Sequence, residues 1–317
     1  MARMTHEGPR ILIVGSGAVG AVFGEHLTRA GARVNFLVRN PDGANARMPR
    51  ALHQLHLAGR PSTVHQMLDT SAQLQGRWDQ CWLCLPSTAL DSDWLHQELD
   101  KLDPGVELIN WTPDLEDRAR LEERLQRPVS MGLIGFVSYQ SPLPGETRPG
   151  EGIAYWLPPR AATLENTRAG ERAANLLKNG GLSARRSRNL PWLAARLSAV
   201  MITLVAALER EQWSLEHLRR SPHLDTATRA AREAMAVGAA YLDTRVHWSG
   251  QLPRTGLYRG LLKTVPPLAP FNLENYLGYH FAKVADQTRL MLDTWIAEGH
   301  KRNVEVTYLE ELRRQLP

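Results

Sequence analysis

Apolar positions follow two regimes along this chain. Up to about residue 189 they come in short continuous runs, and beyond Pro191 they recur at helical spacing over long stretches. The first run, Ile11–Val14, reads as a strand buried on both faces. A glycine-rich turn follows, Gly15-Ser16-Gly17-Ala18-Val19-Gly20, and then an apolar-periodic helix (Val19, Val22, Phe23, Leu27) that closes at Ala30-Gly31. Further strands are predicted at Arg33–Val38, Cys81–Leu85, Val106–Ile109, Met131–Val137 and Ile153–Leu157, with a surface hairpin over Leu52–Met67 around Gly59-Arg60-Pro61-Ser62. A helix is predicted over Leu164–Lys178, stopped by Asn179-Gly180-Gly181. The second regime predicts helices at Trp192–Glu209, Ala227–Tyr241, Leu273–Glu298 and Val304–Gln315, with linker-like segments at Ser249–Gly260 and Val265–Pro270. The expected architecture is an α/β Rossmann domain with a doubly wound parallel sheet, residues 1–189, followed by an all-α domain, residues 190–317.

The strand–turn–helix context turns a G-x-G-x-x-G pattern into a dinucleotide-binding motif. Gly15 permits the tight turn, Gly17 lets backbone approach a pyrophosphate and Gly20 allows close helix–strand packing. The phosphates would rest on the N–H groups of Ser16, Ala18, Val19 and Gly20 at the helix N-terminus. NAD-binding folds place an acid about 20 residues past the glycines to hold the ribose 2′-hydroxyl. Here that place holds Arg39, and no acid occurs between Ala32 and Pro41. An arginine clamps a 2′-phosphate, so NADP(H) is expected, and Asp42 is the residue that would weigh against it. Ser87 and Thr88, which follow a strand end, are expected to touch the cofactor.

Composition narrows the picture further. Thirty-eight basic against 33 acidic residues leave a net charge of +5, which suits a small anionic ligand and gives no case for nucleic acid. The apolar run around Leu197–Leu208 reads as too short and interrupted to cross a membrane, and Met1–Pro9 has no apolar core like that of a signal peptide. A cytoplasmic protein is expected. Cys81 and Cys84 lie three apart within a strand, on opposite faces, and read as structural rather than redox-active. His53, His56 and His65 lack carboxylate or cysteine at ligand spacing, so no metal site is expected. Arg185, Arg186 and Arg188 form a short basic cluster, read as solvated.

Taken together, Gly15–Gly20, Arg39, Asn110 after a later strand, Leu176–Gly181 and Trp192–Leu197 resemble the ketopantoate reductase (2-dehydropantoate 2-reductase) family in order and spacing over nearly the whole chain. The resemblance implies NADPH-dependent reduction of a 2-oxo acid to a 2-hydroxy acid. It also implies a lysine proton donor opening the first long helix of the second domain, substrate-binding asparagine, serine and glutamate, and an asparagine–glycine pair beside the nicotinamide. The matching positions hold Arg196 for the lysine, Val200 for the asparagine, Asn275 near the serine and Gln287 for the glutamate. Asn110 matches, followed by Trp111, which is expected to narrow the pocket. Arginine stays protonated, so Arg196 binds an anionic group rather than donating a proton. His280, Lys283 and Gln287 recur on one helical face, making Lys283, His280 or a water the expected proton source. A rebuilt substrate half implies a small anionic carbonyl substrate, calls ketopantoate as the natural substrate into question, and leaves a homodimer as the candidate assembly. A non-catalytic NADP(H)-binding protein of the same fold is the alternative. A hydroxyacid- or opine-type dehydrogenase working in the oxidative direction is a third reading, and its histidine–aspartate pair is not evident.

Overall fold

The computed structural model describes residues 8–39, 47–112, 114–245 and 253–316. Asp42 and residues 249–252 of the first linker-like segment lie outside them. The chain opens as β1 (Arg10–Val14), α1 (Ala18–Arg29) and β2 (Arg33–Leu37), then the hairpin β3 (Arg47–Gln54) and β4 (Ser62–Ser71). Next come β5 (Gln80–Leu83), α2 (Asp93–Leu99), β6 (Glu107–Asn110), α3 (Asp117–Leu125) and β7 (Val129–Ile134). The strand-bearing part ends with β8 (Val137–Ser141), β9 (Gly152–Trp156), β10 (Ala162–Glu165), α4 (Arg168–Asn179) and β11 (Ala184–Ser187). The remainder is helical: α5 (Leu190–Arg210), α6 (Leu215–Arg220), α7 (His223–Tyr241), α8 (Thr255–Thr264), α9 (Leu273–Lys283), α10 (Ala285–Lys301) and α11 (Thr307–Gln315).

The expected α/β fold followed by helices is present, and its parallel core is part of a larger mixed sheet. The eleven strands run in the order β11-β10-β7-β6-β5-β1-β2-β4-β3-β9-β8. Strands β7, β6, β5, β1, β2 and β4 pair in parallel, with β1 central. The hairpin joins this sheet through β4, while β10 and β8 add antiparallel pairings near its two ends. Alternation along β1 sends Ile11 and Ile13 toward α1 and α4, and Leu12 and Val14 toward α2 and α3. The same alternation separates Cys81 from Cys84, both free thiols whose pKa burial pushes up.

Several boundaries differ from the sequence expectation for identifiable reasons. The run Met131–Val137 splits between β7 and β8 at Gly135, where a Cβ would meet the Arg160 carbonyl at 2.2 Å. Leu164 belongs to β10, and the helix starts later because the Thr167 hydroxyl accepts from the Gly170 N–H at 3.0 Å, a side-chain cap. Arg185 and Arg186 form part of strand β11, and Arg186 pairs with Glu171 at 3.3 Å. The run Leu273–Glu298 breaks at Val284 into α9 and α10. The run around Leu197–Leu208 lies in the 21-residue α5, which is long and apolar enough to cross a bilayer by length and composition. Its most apolar window is 56% buried within the protein, where α5 packs against α7, α10 and α11 around Trp295. Helix α9 reaches back to the sheet region, where Phe271, Tyr276 and Tyr279 pack on Leu55, Tyr139 and Ala154.

Candidate active site

The turn between β1 and α1 is defined by what its glycines touch. Gly15 has φ +100°, and a Cβ there would lie 2.6 Å from the Cys84 carbonyl. At Gly20 a Cβ would lie 2.2 Å from the Gly15 carbonyl, so the helix is pressed onto the turn. Gly17, the N-cap of α1, has nothing within 4 Å of where its Cβ would be. The open side of the turn is therefore at Gly17, beside the first N–H groups of a helix that has no acidic residue in its first turn. Arg50 of β3 reaches over this turn, its Nη1 donating to the Ser16 carbonyl at 2.6 Å, and burial lowers its pKa. Sequence spacing gave no sign of Arg50, because the hairpin pairing carries it there from 34 residues away.

The remaining cofactor candidates fall at the C-terminal ends of the parallel strands, where ligands bind in such sheets. Arg39 is exposed just past β2. Thr88 is exposed past β5, but Ser87 is fully buried and its hydroxyl donates to Asp117 Oδ2 at 2.6 Å. The side chain expected to touch a cofactor is thus committed to the start of α3. Asn110 ends β6 and is 1% exposed. Its Oδ1 accepts from the Thr112 N–H and hydroxyl at 3.2 and 2.8 Å, while its buried Nδ2 has no partner among the described residues. A buried amide N–H left open is the kind of donor that an amide or carbonyl oxygen of a ligand satisfies. Trp111 does not narrow a pocket. Its ring fills the core against Phe23 and Trp82, over Gly132, where a Cβ would approach it to 2.5 Å.

The substrate candidates lie on α5, α9 and α10. Arg196 is half-buried, stands 6.0 Å from the Trp192 ring, and its buried Nε has no hydrogen-bond partner among the described residues. With Val200 it lines a cavity of about 410 Å³ whose far wall includes Leu273 and Leu277 of α9. Asn275 lies on the first turn of that helix, its N–H donating to the Asn272 side chain at 3.0 Å. Lys283 is the exposed last residue of α9. Val284 leaves helical geometry (φ −117°, ψ 31°), so the single face expected for His280, Lys283 and Gln287 is interrupted. Gln287 lies in the first turn of α10, with Nε2 3.9 Å from Met291 Sδ. His280 stacks on Tyr276 at 5.3 Å, and burial together with the Lys283 charge lowers its pKa, leaving the ring neutral at pH 7.

A second cavity of about 430 Å³ lies where the sheet meets the helices, lined by Asp114, Arg118, Glu165, Ala194 and Tyr241 among others. Asp114 was not singled out in the sequence, although a loop four residues past a strand-end asparagine is a place to look. Its Oδ2 accepts from the Thr294 hydroxyl of α10 at 3.0 Å and its Oδ1 from the Leu115 N–H at 2.6 Å. Burial, reinforced by the neighbouring Asp117, pushes its pKa up to about 7.

Residues 11–105 match the family model described as ketopantoate reductase PanE/ApbA. No curated protein matches the sequence. Among solved structures, the chain is similar to a PanE/ApbA family ketopantoate reductase from Ralstonia eutropha, at 17% identity, 96% coverage of both chains and a TM-score of 0.75. A dimeric ketopantoate reductase from Staphylococcus aureus matches at 11% identity, 96% of both chains and a TM-score of 0.70. A D-mandelate dehydrogenase in complex with NADH matches at 15% identity over 96% of this chain and 97% of that one, with a TM-score of 0.67. At these identities the solved structures establish the fold.

Proposed function

We propose, from the premise that the chain is a divergent member of the ketopantoate reductase family by its N-terminal domain, that it is an NADPH-dependent reductase of a 2-oxo acid or related carbonyl compound with an altered substrate site. One observation carries the reading: two glycines of the turn stand where a Cβ would strike a backbone carbonyl, while the third, Gly17, faces open space above a helix N-terminus. That is a cradle for a pyrophosphate. Arg39, exposed past β2, supports the 2′-phosphate and hence NADPH over NADH, and Arg50 adds a second cation beside the turn.

Bound NADPH supplies a hydride. The protein's own groups bind, orient and move a proton. The N–H groups of Ala18, Val19 and Gly20 hold the phosphates, with Ser16 in the turn and Thr88 at the crevice rim. The free Nδ2 of Asn110 orients the cofactor or the substrate carbonyl. Arg196 binds the substrate carboxylate through its paired donors, as a fixed cation rather than an acid. Asn275 and Gln287 offer neutral hydrogen bonds to the substrate. The proton comes from Lys283 or a water it holds, since His280 is kept neutral.

The test is loss of nicotinamide absorbance with NADPH or NADH against a panel of 2-oxo acids led by ketopantoate. NADPH-preferring turnover of a 2-oxo acid is the expected result. Tight NADPH binding with no turnover across the panel overturns the enzyme reading in favour of a non-catalytic NADP(H)-binding protein. The occupants of the family's lysine, asparagine and glutamate positions, Arg196, Val200 and Gln287, are what motivate that second reading. The dimeric relative supports a homodimer in solution, checked by light scattering.

A further inference from the structure

The cavity beside Arg196 has a composition that fits one kind of ligand. Its walls come from α5, α6, α7, α8 and α9, and apart from Arg196 and Tyr258 every lining residue is Val, Leu, Met or Pro. Along α5 the lining is Arg196, Val200, Met201, Leu204, Val205 and Leu208, a stripe of one or two residues per turn. At 1.5 Å per residue this makes a channel about 18 Å long. The cation stands at one end of that row. It is also the end nearest the sheet, because Ala194 and Ala195, on the adjoining stretch of α5, line the cavity where helices and sheet meet. The outer wall opens to solvent through Met201, Leu257 and Leu261, each 44–47% exposed, so a chain can enter. Methionine in that wall adapts to ligand shape. The volume of about 410 Å³ falls within the range of about 300–1,000 Å³ typical of small-molecule pockets.

We propose that this cavity holds the apolar tail of a carboxylic acid whose carboxylate is gripped by Arg196, so that the substrates are 2-oxo acids with long or bulky apolar side chains. The assignment of 2-oxo acids rests on the reductase reading above; the pocket itself does not. Charge complementarity commits the site to an anion: one guanidinium whose buried Nε lacks a partner faces an otherwise apolar wall. A small polar acid would leave that wall wet and gain nothing from it.

Calorimetric titration of the protein with hexanoate, octanoate and decanoate, beside decanamide, tests the pocket without turnover. Each added methylene is expected to tighten binding about fourfold. Decanamide should bind about tenfold more weakly than decanoate, and Arg196→Met should erase that difference while leaving the dependence on length. Leu204→Asn, which puts an amide into the wall, should flatten the dependence on length. Affinity independent of length, or acid and amide bound alike by the unaltered protein, overturns the proposal. So does a Leu261→Asp variant that turns a dimer into monomers while no carboxylate binds the unaltered protein, since the cavity is then an interface between copies. Kinetics over the straight-chain 2-oxo acids separates the two readings. Length-dependent decanoate binding without turnover removes the reductase and keeps the pocket. Turnover of small polar 2-oxo acids with no gain from length keeps the reductase and removes the pocket.

Discussion

The turn after β1 and the cavity beside α5 are made in opposite ways. The turn is almost all backbone: a Cβ at Gly15 or Gly20 would strike a carbonyl oxygen at 2.6 or 2.2 Å, and Gly17 is defined by the space in front of it. The cavity is almost all side chain, one or two residues from each successive turn of α5 facing α8 and α9. A backbone site tolerates few residue types, because any side chain at Gly15 or Gly20 strikes a neighbour that cannot move. A side-chain pocket keeps its helices while its lining changes chemistry. This explains how the turn stays readable in a chain only 11–17% identical to solved structures of the same fold. It also explains how an apolar wall at Val200 and Leu204 can stand on an unchanged framework.

The largest effect that separates the two regions is Gly20→Ala. Its methyl group would meet the Gly15 carbonyl at 2.2 Å, with β1 behind it. The helix must lift, at a cost of about 3 kcal/mol or more, read as a lower urea midpoint. Unchanged stability would show that the turn is not backbone-locked. Gly17→Val is the contrasting case, because the space in front of Gly17 is open. Folding should be nearly unaffected while NADPH binding weakens about 100-fold through the loss of two charge-assisted hydrogen bonds. A variant that binds NADPH normally would remove the pyrophosphate from this turn. Arg39→Ser is expected to lower the preference for NADPH over NADH by about 10- to 100-fold, with NADH affinity preserved. An unchanged preference would transfer the 2′-phosphate to another cation, with Arg50 the first to test.

Much of the backbone was legible in the sequence, because strand, turn and helix periodicity is local. The strand over residues 10–14, the glycine turn and the helices at α5, α7 and α11 all appear where the apolar pattern puts them. What was not legible depends on contacts between distant segments. Arg50 reaches Ser16 only once β3 has paired with β4. Ser87 loses its hydroxyl to Asp117, 30 residues on. Trp111 is a core residue because Gly132 on the neighbouring strand leaves it room. The break at Val284 carries no glycine or proline to announce it, and it parts Lys283 from Gln287 onto different helices.

The smallest effect tests the seam between the sheet that carries the turn and the helices that carry the cavity, where Asp114 past β6 accepts from Thr294 on α10. Burial and the nearby Asp117 raise its carboxyl from 3.8 to about 7, opposed more weakly by the Leu115 and Thr294 hydrogen bonds and by the Arg120 charge. A carboxyl with a raised pKa in the folded state binds a proton on folding between those two values. Stability from this group is therefore full below about pH 4, declines as pH rises, and stops declining above about pH 7. Asp114→Asn keeps both hydrogen bonds, since the Thr294 hydroxyl, which already donates to the Leu290 carbonyl at 3.0 Å, can accept from the new amide. The variant cannot ionise. Its melting temperature relative to the unaltered protein should therefore climb by a few degrees between about pH 4.5 and 7.5 and then level off. A difference that is constant across that range would mean Asp114 is already ionised in the folded protein, held by Arg120, and that the seam carries a buried ion pair instead of a proton.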